Sequence, residues 1–146
     1  MVKRFANKAW CLVLVATLVL PAMAGSSKEF VLDLPQGIDT ASSVVLVLSE
    51  VRLPRNAAVV LRVRVAESGA AEVALGSIGV LAESKDAEGT AVHAALRIDV
   101  TKTLKRWRKD HPGVNAMRIR VVPYAGKEPL ASLEWSAASA DLKPGA

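Results

Sequence analysis

Val59-Val60-Leu61-Arg62-Val63-Arg64-Val65 sets Leu61, Val63 and Val65 on one side of an extended chain and Arg62 and Arg64 on the other. A period of two marks a strand that buries one face, because successive side chains of a pleated backbone point opposite ways. The pattern continues in both directions. Upstream, Phe30–Leu34 is a short strand closed by Pro35-Gln36-Gly37, and Ser43–Val51 is a long β-branched run whose unbroken apolarity predicts burial on both faces. Pro54-Arg55-Asn56 makes the turn between that run and Val59–Val65. Downstream, Val73–Leu81 is a further long strand that contains Gly76 and Gly79, residues that mark a bulge or a close backbone approach. After a polar loop at Ser84–Thr90, His93–Val100 turns Leu96, Ile98 and Val100 inward. Met117–Val121 then turns Arg118 and Arg120 outward, Pro123-Tyr124-Ala125-Gly126 forms a turn, and Leu130–Ala138 is read as the last strand, carrying Trp135. Lys143–Ala146 is read as a frayed end. About seven strands separated by turn signals predict an all-β, jelly-roll-like antiparallel sandwich.

One segment breaks the alternation. Lys102–Lys109 has helical spacing, with Leu104 and Trp107 three apart on one face, which predicts a short capping helix near residues 101–110. Asp99 or Thr101 can accept bonds from its first free N–H groups, and His111-Pro112-Gly113 ends it. Trp107 and Leu104 then plug one end of the sandwich, and Asp99, Thr101, Leu104, Trp107 and Trp135 are the expected structural anchors.

The first 24 residues read differently. Lys3, Arg4 and Lys8 precede the apolar run Cys11–Leu20, and Pro21 leads to Ala22-Met23-Ala24, the small-residue pattern of a signal-peptidase site. That ten-residue run, broken only by Thr17, reaches only about 15 Å as a helix, about half a bilayer core. The chain is therefore expected to be exported, periplasmic or secreted, with residues 25–146 as one domain beginning at Gly25 and not stably inserted in a membrane. The leader holds three bases and no acid, which leaves 16 basic and 14 acidic groups in the remainder, a near balance that does not point to nucleic acid. The single thiol, Cys11, lies in the leader, so the mature domain is expected to fold on its apolar core without disulfides.

The residue inventory also bears on chemistry. His93 and His111 are the only histidines and fall on different elements, without the spacing of a metal site. No serine stands on a Gly-x-Ser-x-Gly elbow, and the chain carries no phosphate-cradling glycine loop. Sugar-cleaving carboxylate pairs are normally walled by aromatic rings, and the mature part has only Phe30, Trp107, Tyr124 and Trp135. A non-enzymatic protein without metal or cofactor is expected. Lys102, Lys105, Arg106, Arg108 and Lys109 make the helix the densest charge feature: a patch for an acidic partner, a phosphate polymer or an anionic membrane surface, or else a solvated outer face. Arg62, Arg64, Arg97, Arg118 and Arg120 would form one guanidinium-rich sheet face, paired with acids at 50, 72, 83, 99 and 134.

Val44-Val45-Leu46-Val47-Leu48, Leu61–Val65, Leu75–Val80, His93 leading into Ile98-Asp99-Val100-Thr101, Ile119–Pro123 and the closing Leu133–Leu142 give the stretch from Val44 to Leu142 a family likeness. It resembles the small C-terminal β-sandwich domain that follows the dicopper domain of bacterial tyrosinases and polyphenol oxidases. The dicopper domain and its six histidines are missing, so the resemblance implies the fold and a habit of packing over a copper enzyme, not phenol oxidation. It implies a free-standing accessory module with a protein partner, a tyrosinase-like oxidase being one candidate, with Tyr124 as a contact; the helix bases are candidate contacts on their charge alone. Tyr124 would either enter the partner's active-site mouth as a phenol mimic or cap the core edge with its ring while its hydroxyl bonds a nearby backbone group. The alternative is a carbohydrate- or other ligand-binding module, which needs an exposed aromatic platform.

Overall fold

The computed structural model describes residues 26–67, 71–81 and 89–145. The expected leader and its cleavage point lie outside the described residues, as do Glu83, most of the polar loop and Ala146. The elements run β1 (Lys28–Asp33), β2 (Val44–Pro54), β3 (Val59–Val65), β4 (Val73–Val80), β5 (Thr90–Asp99), α1 (Thr101–Asp110), β6 (Ala116–Ala125), β7 (Glu128–Pro129) and β8 (Ser139–Pro144). Two antiparallel sheets result: one in the order β1-β6-β3-β4, with β7 sharing the β1 edge of β6, and a smaller one in the order β5-β2-β8. The all-β sandwich and its capping helix therefore stand as the alternation predicts.

The sheets bury their alternating faces against each other. Leu46 and Leu48 of the smaller sheet and Leu61, Val63, Ile119 and Val121 of the larger one are fully buried in one cluster. The edges also approach, with β1 beside β8 and β4 beside β5. At the second of these edges a side chain on Gly76 would meet Ile98 Cγ2 at 2.7 Å, with the Asp99 carbonyl at 3.5 Å. The β3–β4 register shifts alongside, since Val63 faces Gly76 while Arg64 faces Ala74, leaving Leu75 as the extra residue. Gly76 thus sits beside the bulge expected of it, and its tight neighbour is the Ile98 side chain rather than a backbone. Gly79 has neither bulge nor tight neighbour, for nothing lies within 4 Å of its would-be Cβ.

Three sequence expectations are corrected. First, β2 is not buried on both faces throughout: its inward set passes from Val44, Leu46 and Leu48 to Val51 and Leu53. The switch falls at Glu50, whose φ of 48° lies in the left-handed region. On the outer side only Val47 is buried, between Arg97 on β5 and Asp141 on β8. Second, the last strand is Ser139–Pro144 rather than Leu130–Ala138. Residues 130–138 are irregular, tied to β2 by a bridge between Arg52 and Ser136 and by a bond from Ala138 N to the Ser49 carbonyl (2.9 Å), while Lys143 and Pro144, read as frayed, pair with Val45 and Val44. Trp135 is buried all the same, its indole donating to the Ser26 carbonyl. Third, Pro123 does not start a turn. It faces Leu61 within β6 and its carbonyl accepts from Leu130 N (2.9 Å), so the strand runs on to Ala125.

Gly76→Ala is expected to cost about 1–3 kcal/mol, because the β-branched Ile98 is buried and cannot swing aside. Gly79→Ala should stay within about 0.5 kcal/mol. Urea denaturation of the two variants measures the contrast, and equal effects would contradict the close approach.

Candidate functional site

The geometry around α1 begins at its first residue. The Thr101 hydroxyl accepts from Val44 N (2.8 Å) and donates to Asp99 Oδ1 (2.6 Å), and the Asp99 carboxylate also accepts from Thr101 N (2.9 Å). Val100 N donates to the Val44 carbonyl (3.1 Å). The corner between β5 and α1 is thereby fastened to the start of β2. The hydroxyl and then the backbone N–H of Thr101 hold the Asp99 carboxyl below its ordinary range, since both favour the ionised form. Thr103 adds a bond from its hydroxyl to the Leu75 carbonyl (2.6 Å), linking the first turn to the bulge of β4.

Leu104 and Trp107 are buried on the inner side of α1. The Trp107 indole donates to Glu67 Oε1 (2.7 Å), and the His111 ring stacks on it at 4.4 Å between centroids. His111 Nε2 lies 3.1 Å from the same Glu67 oxygen, and its Nδ1 lies 2.9 Å from the Trp107 carbonyl. Glu67 escaped the sequence reading because its partners lie 40 or more positions away and no local pattern marks it. Arg108, grouped with the other helix bases by composition, is already committed: it donates to Asp39 Oδ1 (3.2 Å) and to the Val114 carbonyl. What remains outward is a stripe of Lys102, Arg106 and Lys109, all exposed, beside a half-buried Lys105. Among the described residues none of these four makes an ion pair.

A second constellation occupies the outer face of the larger sheet. Arg64 and Arg120 stand directly opposite each other on β3 and β6, and Glu29 stands opposite Arg120 on β1. Arg120 donates to Glu29 Oε1 through Nη2 (2.7 Å) and Nε (3.1 Å), and to Glu72 Oε1 through Nη1 (2.5 Å). The Glu29 bonds raise the Arg120 pKa above its already high ordinary value. Arg64 reaches Glu72 Oε2 at 3.4 Å and the Tyr124 hydroxyl at 3.3 Å. Arg62 lies over the Tyr124 ring at 4.1 Å and bonds the Gly126 carbonyl. Tyr124 is therefore a half-buried strand residue engaged at ring and hydroxyl, not a residue displayed at a turn. The single arginine face is also corrected, since Arg97 belongs to the smaller sheet. Of the acids proposed to pair with it, Glu72 does so, whereas Asp99 serves the helix start.

Among the described residues no three His, Cys, Asp or Glu side chains gather as a metal-binding group, and His93 stays on β5, apart from His111. Nor, among them, is any helix long and apolar enough to cross a membrane. Trp107 and Trp135 are both buried, so neither offers a flat sugar platform.

Trp107→Ala is expected to cost about 3–5 kcal/mol, through lost burial and the cavity left behind. Chemical denaturation tests this, and a loss under about 1 kcal/mol would place the indole outside the core. For Asp99 the sign follows from its lowered folded-state pKa. The ionised group stabilises the fold above its ordinary value near 3.8, and that contribution is lost as pH falls through the lower folded-state value. The wild type should exceed Asp99→Asn in denaturation midpoint at neutral pH and converge with it in acid.

No protein-family model matches the chain, and no curated protein matches its sequence.

Proposed function

We propose that the protein is an exported, non-catalytic interaction module that docks on a protein partner through the outer face of α1. The observation that carries this reading is the stripe of Lys102, Arg106 and Lys109: exposed, without an ion-pair partner among the described residues, and mounted on a helix whose inner side is fixed at Thr101, Leu104 and Trp107. A rigid cationic ridge favours an acidic surface and steers it at long range. The sequence resemblance to the C-terminal domain of tyrosinases supports a copper oxidase of that class as the partner, and the leader supports a periplasmic or secreted setting. Tyr124 is a weaker contact than the helix, because Arg62 and Arg64 already occupy its ring and hydroxyl. The sugar-binding alternative lacks support from Trp107 and Trp135, both of which are buried.

The experiment pairs the purified protein with a tyrosinase-like oxidase and measures association at low and high salt. Reversing Lys102, Arg106 and Lys109 to Glu should weaken binding at least tenfold and remove most of its salt dependence, while the denaturation midpoint changes little. Unchanged affinity in the triple variant would overturn the helix as the docking face. Failure of the wild type to bind would overturn the oxidase assignment.

A further inference from the structure

The outer face of the larger sheet holds a second site, independent of the helix. Two guanidinium groups directly opposed across a strand pair repel one another unless an anion lies between them. At Arg64 and Arg120 that anion is Glu72, which enters from the chain just before β4 and divides its two oxygens between them. The division is unequal. Arg120 makes short bonds to Glu29 and Glu72, whereas both side-chain bonds of Arg64 are at 3.3–3.4 Å, near the outer limit of hydrogen bonding. Arg64 therefore keeps donor capacity, and it forms a wall of a cleft of about 480 Å³ lined on its apolar side by Val122, Pro129 and Ala131. Its side chain is about one-third exposed, open to a ligand yet held by its neighbours.

We propose that this cleft binds a carboxylate carried on an apolar body. The planar fork of a carboxylate matches the fork of a guanidinium, so it takes Arg64 and Arg120 in the place that Glu72 occupies. The body then lies on Val122 and Pro129. Glu72 is an internal competitor: it stabilises the opposed arginines when the cleft is empty and must yield when an external acid binds. Two sources offer this chemistry, a free apolar acid and the C-terminal carboxylate of a peptide.

The test follows side-chain Nε–Hε NMR signals of Arg64 and Arg120 during titration. Benzoate is compared with benzamide, and acetyl-Val-Phe free acid with its amide. Glu72→Gln removes the competing charge at nearly constant volume, so it should bind an acid probe at least tenfold more tightly than the wild type. Arg64→Met in the Glu72→Gln background should lose the response, with the retained dispersion of the backbone spectrum reporting an intact fold. An acid-over-amide preference for benzoate, for the peptide or for both supports the site and identifies its source. Equal response to acid and amide in both pairs, no response in Glu72→Gln, or no gain from that substitution would overturn it.

Discussion

The hydroxyl of Thr101 is the fastening from which much of the functional geometry follows. It bonds the first residue of β2 and the Asp99 carboxylate together, and so fixes where α1 leaves the sandwich. With the start fixed, Leu104 and Trp107 fall into the core and the opposite side of the helix faces out. The indole reaches Glu67 just beyond β3, and Glu72 at the far end of the same connection reaches Arg64 and Arg120. The β3–β4 connection is thus held at both ends by carboxylates, one on the helix and one on the sheet.

The two sheet faces solve the problem of solubility in different ways. On the larger sheet, opposed arginines are tolerated because Glu29 and Glu72 are interleaved with them and Arg62 rests on Tyr124. Exposed ion pairs of this kind contribute only about 0–1 kcal/mol each, so their main consequence is a defined charge pattern rather than stability. On the smaller sheet, Val47 is covered from either side by the registers that bring Arg97 and Asp141 beside it. Stability rests instead on the shared interior, where residues from both sheets are closed off from water.

Local periodicity was decisive where an element buries a single face. The Leu61, Val63, Val65 alternation fixes a half-buried strand, the three-residue step from Leu104 to Trp107 fixes a helix, and the glycine at 76 announces the bulge of β4. Whatever depends on a distant neighbour is set by the tertiary fold. Ser139–Pro144 becomes a strand because β2 offers it a free edge, although it carries a single large apolar side chain. Leu130–Ala138 has a more strand-like sequence yet is left irregular, meeting β2 only at the Arg52–Ser136 bridge and at the bond from Ala138 N to the Ser49 carbonyl. The same holds for the candidate sites. Composition located the basic helix but not that Arg108 is consumed by Asp39, and it offered Glu72 as one of five acids for the arginines without showing that this one lies between Arg64 and Arg120. The physical reason is that side-chain periodicity is set by the geometry of a single backbone, whereas strand pairing and charge pairing are set by which backbone lies alongside.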